Sequence, residues 1–206
     1  MPVKKETTEV RKEQTVKAAL DIIGARGVQG LTTAQIAKTV GISEANLYRH
    51  FKNKGAILLA VIDSIDNTLT NNLKTVCREN ITSLKKMERI FNLHLSYIND
   101  NKGIPRVVFS SEILFTKEIR KKLSSFVDRY LKMLSVILEE GTTDGSIRKG
   151  INSKAMAGLF IGMIQLNALR WFMNDFHFPL AREAGKLWQT YKRNIEARLF
   201  SLQKGS

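Results

Sequence analysis

The 206-residue chain predicts an all-α protein: a small N-terminal helix-turn-helix unit followed by a larger helical domain. Three observations carry the fold class. Apolar and polar residues alternate with a helical period over long stretches, and strand-like runs are scarce. Only three prolines occur, and the breaks between periodic runs hold glycine, asparagine and aspartate. Hydrophobic residues make up 43% of the chain, enough for a sizeable core.

The first helix is expected over residues 7–26, where Val16, Ala19, Leu20 and Ile23 share one face. Gly27 and Gly30 bracket its end. The stretch LTTAQIA starts the second helix. Thr32 as N-cap puts Gln35 where a capping box needs it, and Leu31 with Ile36 where a hydrophobic staple would fall. Gly41 ends this helix. Ser43 caps a third over 43–51, in GISEANLYRHF, with Ile42 and Leu47 repeating the staple spacing. Two short helices joined through a glycine turn form a helix-turn-helix. Asn53 caps a fourth helix over about 54–77, long enough to join two domains. Further helices are expected over 81–100, 104–114, 116–140, 152–176 and 180–202. NDNKGIP, GTTDGSIRKGIN and Pro179 separate them. The domain boundary is placed along the fourth helix, dividing 1–60 from 61–206.

Leu47 and Phe51 lie four apart and turn one side of the third helix inward. The remaining sides offer chemistry for a duplex. Asn46 can pair bidentately with adenine, Glu44 can accept from cytosine, and Ala45 can touch a thymine methyl. Tyr48, His50 and Lys54 suit phosphates, as do the helix-start amides and hydroxyls of Thr32, Thr33 and Ser43. Arg49 is either part of this surface or simply solvated. The formal net charge of +14 favours a polyanionic partner or an anionic ligand. It does not single out the head, because residues 1–60 carry ten Lys+Arg against five Asp+Glu and the remainder 23 against 14.

The segment LTTAQIAKTVGISEANLYRHFKNKGAILLAVI resembles the DNA-binding segment of the TetR family of bacterial transcriptional regulators over roughly residues 10–62. The resemblance implies backbone contacts from Thr33, Ser43, Tyr48, His50 and Lys54, and base reading by or near Gln35, Glu44, Ala45 and Asn46. Gly55 departs from the pattern, since an acid often follows the lysine. The resemblance also implies a homodimer built from the last two helices, with two recognition helices about 34–36 Å apart on a double-stranded operator. Gly158 and Gly162, four apart on an apolar helix, and Trp188, Tyr191 and Ile195 are the candidate interface residues.

For the rest of the chain the resemblance implies a larger helical ligand-binding and dimerisation domain, with a small-molecule cavity among its helices. Phe91, His94, Tyr97, Phe109, Tyr130 and Met133 are its aromatic or soft candidates; each is equally a core residue. Arg106, Glu112, Asn167 and Arg170 are polar groups in apolar settings and need partners. Lys85, Lys86, Arg89, Arg120, Lys121 and Lys122 offer a surface for an anion such as a fatty acid or acyl-coenzyme A; a solvated basic face is the alternative.

No catalytic set is visible. His50, His94 and His177 lie far apart beside the single Cys77, so no metal spacing appears. GSIRKG lacks the Lys-Ser/Thr of a phosphate loop and reads as a turn; no cofactor motif occurs. One cysteine allows no internal disulfide, and MPVKKETTEVRKEQ has no apolar core of a secretory signal, which together suggest a cytoplasmic protein. The stretch 155–172 is interrupted by Gln165, Asn167 and Arg170 and reads as a buried helix, not a membrane span. The expected function is a ligand-responsive regulator, a repressor released from a near-palindromic operator. The alternatives are a DNA-binding regulator without a small-molecule effector, or an enzyme whose site assembles only in three dimensions.

Overall fold

The computed structural model describes residues 7–197 and contains α-helices joined by short turns, with no strand among the described residues. Thr7 accepts a hydrogen bond from the Val10 amide and starts α1 (Thr8–Arg26). Thr32 caps α2 (Thr33–Val40) by accepting from the Gln35 amide at 3.2 Å. Gly41 ends α2 at φ 74°, a left-handed conformation that costs glycine little. Ser43 caps α3 (Glu44–Tyr48) through the Asn46 amide, and Asn53 caps α4 (Lys54–Cys77) through the Ala56 amide at 2.9 Å. The Asn53 cap starts α4 without an acid at position 55. Leu31, Ile36, Leu47 and Leu58 are sealed in the core beneath.

The remaining helices are α5 (Ser83–Asp100), α6 (Gly103–Val108), α7 (Ser111–Phe115), α8 (Lys117–Asp144), α9 (Ser153–Met173) and α10 (Leu180–Ile195). The stretch expected as one helix over 104–114 is two, because Ser110 takes an extended conformation and breaks the ladder. Conversely, α8 continues past Gly141. That glycine is buried where Ile147 crosses; a Cβ would lie 2.4 Å from the Ile147 Cδ1. The helix ends at Gly145, and GSIRKG is a turn pinned to the end of α10 by the Arg148 amide donating to the Ile195 carbonyl. The end of the expected 180–202 helix lies outside the described residues.

Helix α4 packs against α1 at its start and against α5 and α8 further along. Helix α8 packs chiefly on α9, and α10 closes the far side against α5 and α9. There Phe91 stacks on Trp188 with ring centroids 5.3 Å apart and meets Phe160 edge-on at 5.9 Å, contacts of about 0.5–1.5 kcal/mol each beyond their burial.

Two expectations change here. Trp188, Tyr191 and Ile195 are consumed by the chain's own core and are not open for a partner. The Trp188 indole donates to Glu88 and the Tyr191 hydroxyl to the Met156 carbonyl, so even their polar tips are satisfied internally. Helix α9, expected to be buried, is buried on one side only. Phe160, Ile164 and Trp171 point inward, whereas Leu159, Leu166 and Met173 are 58%, 53% and 70% exposed beside the open Gly158 and Gly162. By length and composition α9 could cross a membrane, with a third of its apolar window buried.

Candidate nucleic-acid interface and interior cavity

The outer surface of α2 and α3 is polar and open. Leu47 anchors α3 inward at 0% exposure, leaving Glu44, Ala45, Tyr48 and Arg49 exposed and Asn46 half-buried. The Thr33 hydroxyl donates to the Glu44 carboxylate at 2.8 Å and lies 3.4 Å from the Tyr48 hydroxyl. This cluster ties the start of α2 to α3 and fixes the orientation of three polar groups before any partner arrives. Thr32 and Ser43 are exposed at the two helix starts.

Three other candidates are placed differently. The Gln35 amide turns back from the outer face, its nitrogen toward the Gly30 carbonyl and its oxygen 2.7 Å from the Arg26 guanidinium. It is therefore engaged within the head, which also leaves the reciprocal half of the capping box unmade. His50 lines an open groove with Lys12 and Lys17 of α1. Lys54 is held by Glu112 of α7 at 3.1 Å, both side chains about a third exposed. The sequence places these two residues 58 positions apart and gives no hint of the pairing.

Helices α4, α5, α6, α8 and α9 line a partly open cavity of about 250 Å³. Ile62 and Ile65 of α4, Ile104 of α6 and Phe126 of α8 are among its walls. Its polar lining consists of His94, Tyr130 and Gln165. Burial pushes the His94 imidazole down to about 4, so it is neutral near pH 7, and pushes the Tyr130 phenol upward. The His94 ring meets Tyr130 edge-on at 5.8 Å, and its Nδ1 has no hydrogen-bond partner.

Of the sequence candidates for a ligand site, His94, Phe109 and Tyr130 line this cavity. The others do not. Phe91 is in the aromatic cluster under α10. Tyr97 faces the groove beside α1. Arg106 lies over the Phe172 and Phe176 rings, 5.3 Å from each centroid. Glu112 is taken by Lys54. Met133 fills the core margin. Asn167 donates to the Met163 carbonyl one turn back, and Arg170 lies over Phe178 at the surface. Of the four polar candidates, Asn167 is thus answered one turn away, Glu112 by a distant lysine, and the two arginines by aromatic rings. Apart from Phe126 and Gln165, the missed walls are aliphatic residues indistinguishable in sequence from core. Gln165 was visible as an interruption of an apolar run, the one available pointer.

Residues 16–61 match the family described as "Bacterial regulatory proteins, tetR family", and residues 63–192 match "YsiA-like protein, C-terminal region". The fatty acid metabolism regulator protein of Bacillus subtilis is 25% identical over 81% of this chain and 86% of its own length. The nucleoid occlusion factor SlmA of Aliivibrio fischeri is 23% identical over 90% of this chain and 96% of its own length. Among solved structures, the transcriptional regulator FadR from Bacillus subtilis in complex with stearoyl-CoA superposes with a TM-score of 0.76 at 23% identity, covering 89% of this chain and 99% of its own. A TetR-family regulator from Agrobacterium tumefaciens gives 0.78 at 18% identity, covering 93% and 100%.

Proposed function

We propose that this chain, which belongs to the TetR family of bacterial regulatory proteins, is a homodimeric repressor released from a near-palindromic operator when a small molecule fills the interior cavity. DNA-binding transcriptional regulation is the family's function; the repressor sense, the effector and the residue roles are our reading. We read residues 1–60 as the DNA-binding unit and 61–206 as the effector and dimer unit; one family match ends at residue 61 and the other begins at 63, which supports a division near there. We read the chain as a cytoplasmic regulator and not an enzyme.

The observation that carries the reading is the fixed polar cluster of Thr33, Glu44 and Tyr48 on a fully capped, outward-facing α2–α3 unit. Glu44, Ala45 and Asn46 lie where base edges would be met; Thr32, Thr33, Ser43, Tyr48, Arg49, His50 and Lys54 serve the phosphates. Gln35 supports them from within the head. The open side of α9, from Gly158 through Leu159, Gly162 and Leu166, is the surface we assign to the second subunit: glycines permit close approach and the leucines need cover.

Two helices connect the cavity to the head. Helix α4 contributes Ile62 and Ile65 to the wall and carries the Asn53 cap at its other end. Helix α6 contributes Ile104 and packs on α1, so closely that a Cβ at Gly103 would lie 2.3 Å from the Leu20 carbonyl. A ligand that fits the cavity better when α6 and α4 have shifted favours that arrangement by its difference in affinity, and the head moves with them. The hydrocarbon-like lining suits an apolar effector, and the fatty acid metabolism regulator of Bacillus subtilis points to the same broad class. The basic residues proposed for an anion lie elsewhere. Arg89 pairs with Glu79, Lys122 pairs with Asp63, and Lys85, Lys86, Arg120 and Lys121 are also outside the lining.

Selection of bound sequences from random duplex DNA tests the proposal. A two-fold symmetric site with half-sites about one helical turn (~34–36 Å) apart is expected. Recovery of no enriched sequence, or of an asymmetric single half-site bound by a monomer, overturns it.

A further inference from the structure

We propose that Phe172 and Phe176, where α9 ends, clamp α6 through its cations Lys102 and Arg106, and that this clamp sets how readily α6 can shift. Its use in regulation rests on the reading in which α6 carries the effector signal to the head.

The end of α9 is built to present a ring. The Phe176 amide donates to the Trp171 carbonyl at 2.8 Å and the Asp175 amide to the Phe172 carbonyl at 3.0 Å, so the helix closes in a Schellman motif. The Phe176 ring meets Trp171 edge-on at 4.7 Å, the apolar contact that accompanies such an ending. The motif calls for one left-handed residue, and Asp175 supplies it at φ 49°. Phe176 is a second, at φ 64°. A bulky residue is an outlier there and persists only where its surroundings hold it.

Part of what holds it comes from α6. Lys102 and Arg106 are four apart, so they project from one side of that helix. The Lys102 ammonium lies 5.2 Å from the Phe176 ring centroid, and the Arg106 guanidinium 5.3 Å from those of Phe172 and Phe176. No carboxylate pairs with either cation among the described residues, and the Arg106 Nε is buried without a hydrogen-bond partner. Arg106 is half-buried and Lys102 exposed, so Arg106 carries the larger share of the attraction.

The other sides of α6 are already taken. Gly103 presses on the Leu20 carbonyl of α1, and Ile104, Pro105 and Val108 line the cavity. One short helix thus touches the head, the cavity and the end of α9 at once. It cannot move relative to α9 without parting its cations from the rings, and the contacts oppose that shift by what they contribute. On the reading above, the arrangement seen here binds DNA and the clamp maintains it.

Hydrogen exchange on the full chain tests the clamp, with binding of the duplex enriched from random DNA measured beside it. Phe176→Leu keeps an apolar side chain on the same backbone and removes the ring face. It is expected to speed exchange at the end of α6, where the Phe109 amide donates to Pro105, about fivefold while α10 is unchanged. Duplex binding is expected to weaken about two- to fivefold as the binding arrangement loses population. Phe178→Leu is the control, because the cation over that ring is Arg170 of α9 itself, 5.8 Å away. It should change neither α6 exchange nor duplex affinity. Arg106→Met removes the charge and keeps most of the stem; it should match Phe176→Leu, and the double variant should add little to either. Unchanged α6 exchange in Phe176→Leu, or equal acceleration in Phe178→Leu, overturns the clamp. Faster α6 exchange with unchanged duplex affinity upholds the clamp and defeats α6 as carrier of the signal. Recovery of no duplex defeats the repressor reading, and exchange still decides the clamp.

Discussion

From Thr32 to Asn53 every helix start is capped by its own side chain, three residues before the amide it accepts from. Helix α5, in the body, is capped differently. Thr82 makes no cap bond; instead the Asp144 carboxylate accepts from the Ser83 amide and the Ser146 hydroxyl from the Leu84 amide, 61 and 62 residues along the chain. The functional surfaces divide the same way. The head presents polar groups outward from two adjacent helices, whereas the body points side chains of five helices into one cavity. A function built from neighbours in sequence is set by local rules; one built across distant helices is set by packing. The first should survive changes in the body, and the second should depend on them.

Truncating the head's central anchor is the largest test of that division. Leu47 is fully enclosed, and Leu47→Ala is expected to cost about 2–5 kcal/mol through the lost contacts and the cavity left behind. DNA binding should fall with it, while ligand binding in the body persists. Parallel thermal melts and ligand titrations check this, and loss of the ligand site in the same variant would break the comparison.

The junction offers a second test of about 1–3 kcal/mol, the usual penalty of overpacking. Gly103→Val forces a side chain into the Leu20 carbonyl where α6 meets α1. Ligand affinity should be nearly kept and the effect of ligand on operator affinity lost. Titrating operator with and without ligand reads both. A variant that stays fully responsive would show that α6 does not connect the regions.

The same contrast explains what the sequence could say. Thr32, Ser43, Asn53, Gly41 and the staple residues act within five positions, so pattern alone located the head and its outward face. The body's helices were also legible, because burying an apolar stripe is a periodic property. Their use was not. Ile62, Ile104 and Phe126 line a void, whereas Phe91 and Trp188 fill one, and nothing local separates the two groups. Nor could period alone show that the aromatic stripe of α10 is spent inside the chain while one side of α9 stays open. Arg106 and Arg170 misled for a related reason: aromatic faces answered them without any ligand.

Acid should separate the regions by a smaller amount. The head's caps are neutral. Asp144 works against some burial, but hydrogen bonds from Ser146 and Ser83 outweigh it and hold its carboxyl down to about 2. A pKa depressed below the unfolded value of ~3.9 gives stability that is present above that pH and lost as pH falls toward 2. The group is largely solvated, so the contribution is below about 1 kcal/mol. Asp144→Asn should flatten the body's acid sensitivity between pH 5 and 2 in denaturant titrations; an unchanged slope would remove this cap from the account.

The smallest expected effect lies where the two regions touch through charge. Lys54, assigned to a phosphate, is held by Glu112 of the body when no DNA is present. A duplex must draw the ammonium away from that carboxylate, so Glu112 opposes binding by what the pair contributes, about 0.2–1 kcal/mol for a part-exposed pair. Glu112→Gln should therefore tighten operator binding about 1.5- to 5-fold for all sequences alike, since a phosphate contact carries no base preference. Lys54→Ala should weaken binding and reduce the salt slope by about one, and the gain from Glu112→Gln should vanish in the double variant. Should Glu112→Gln weaken binding instead, the pair would be positioning the head for DNA, and the body would be taking part in the surface that the local caps alone were held to define.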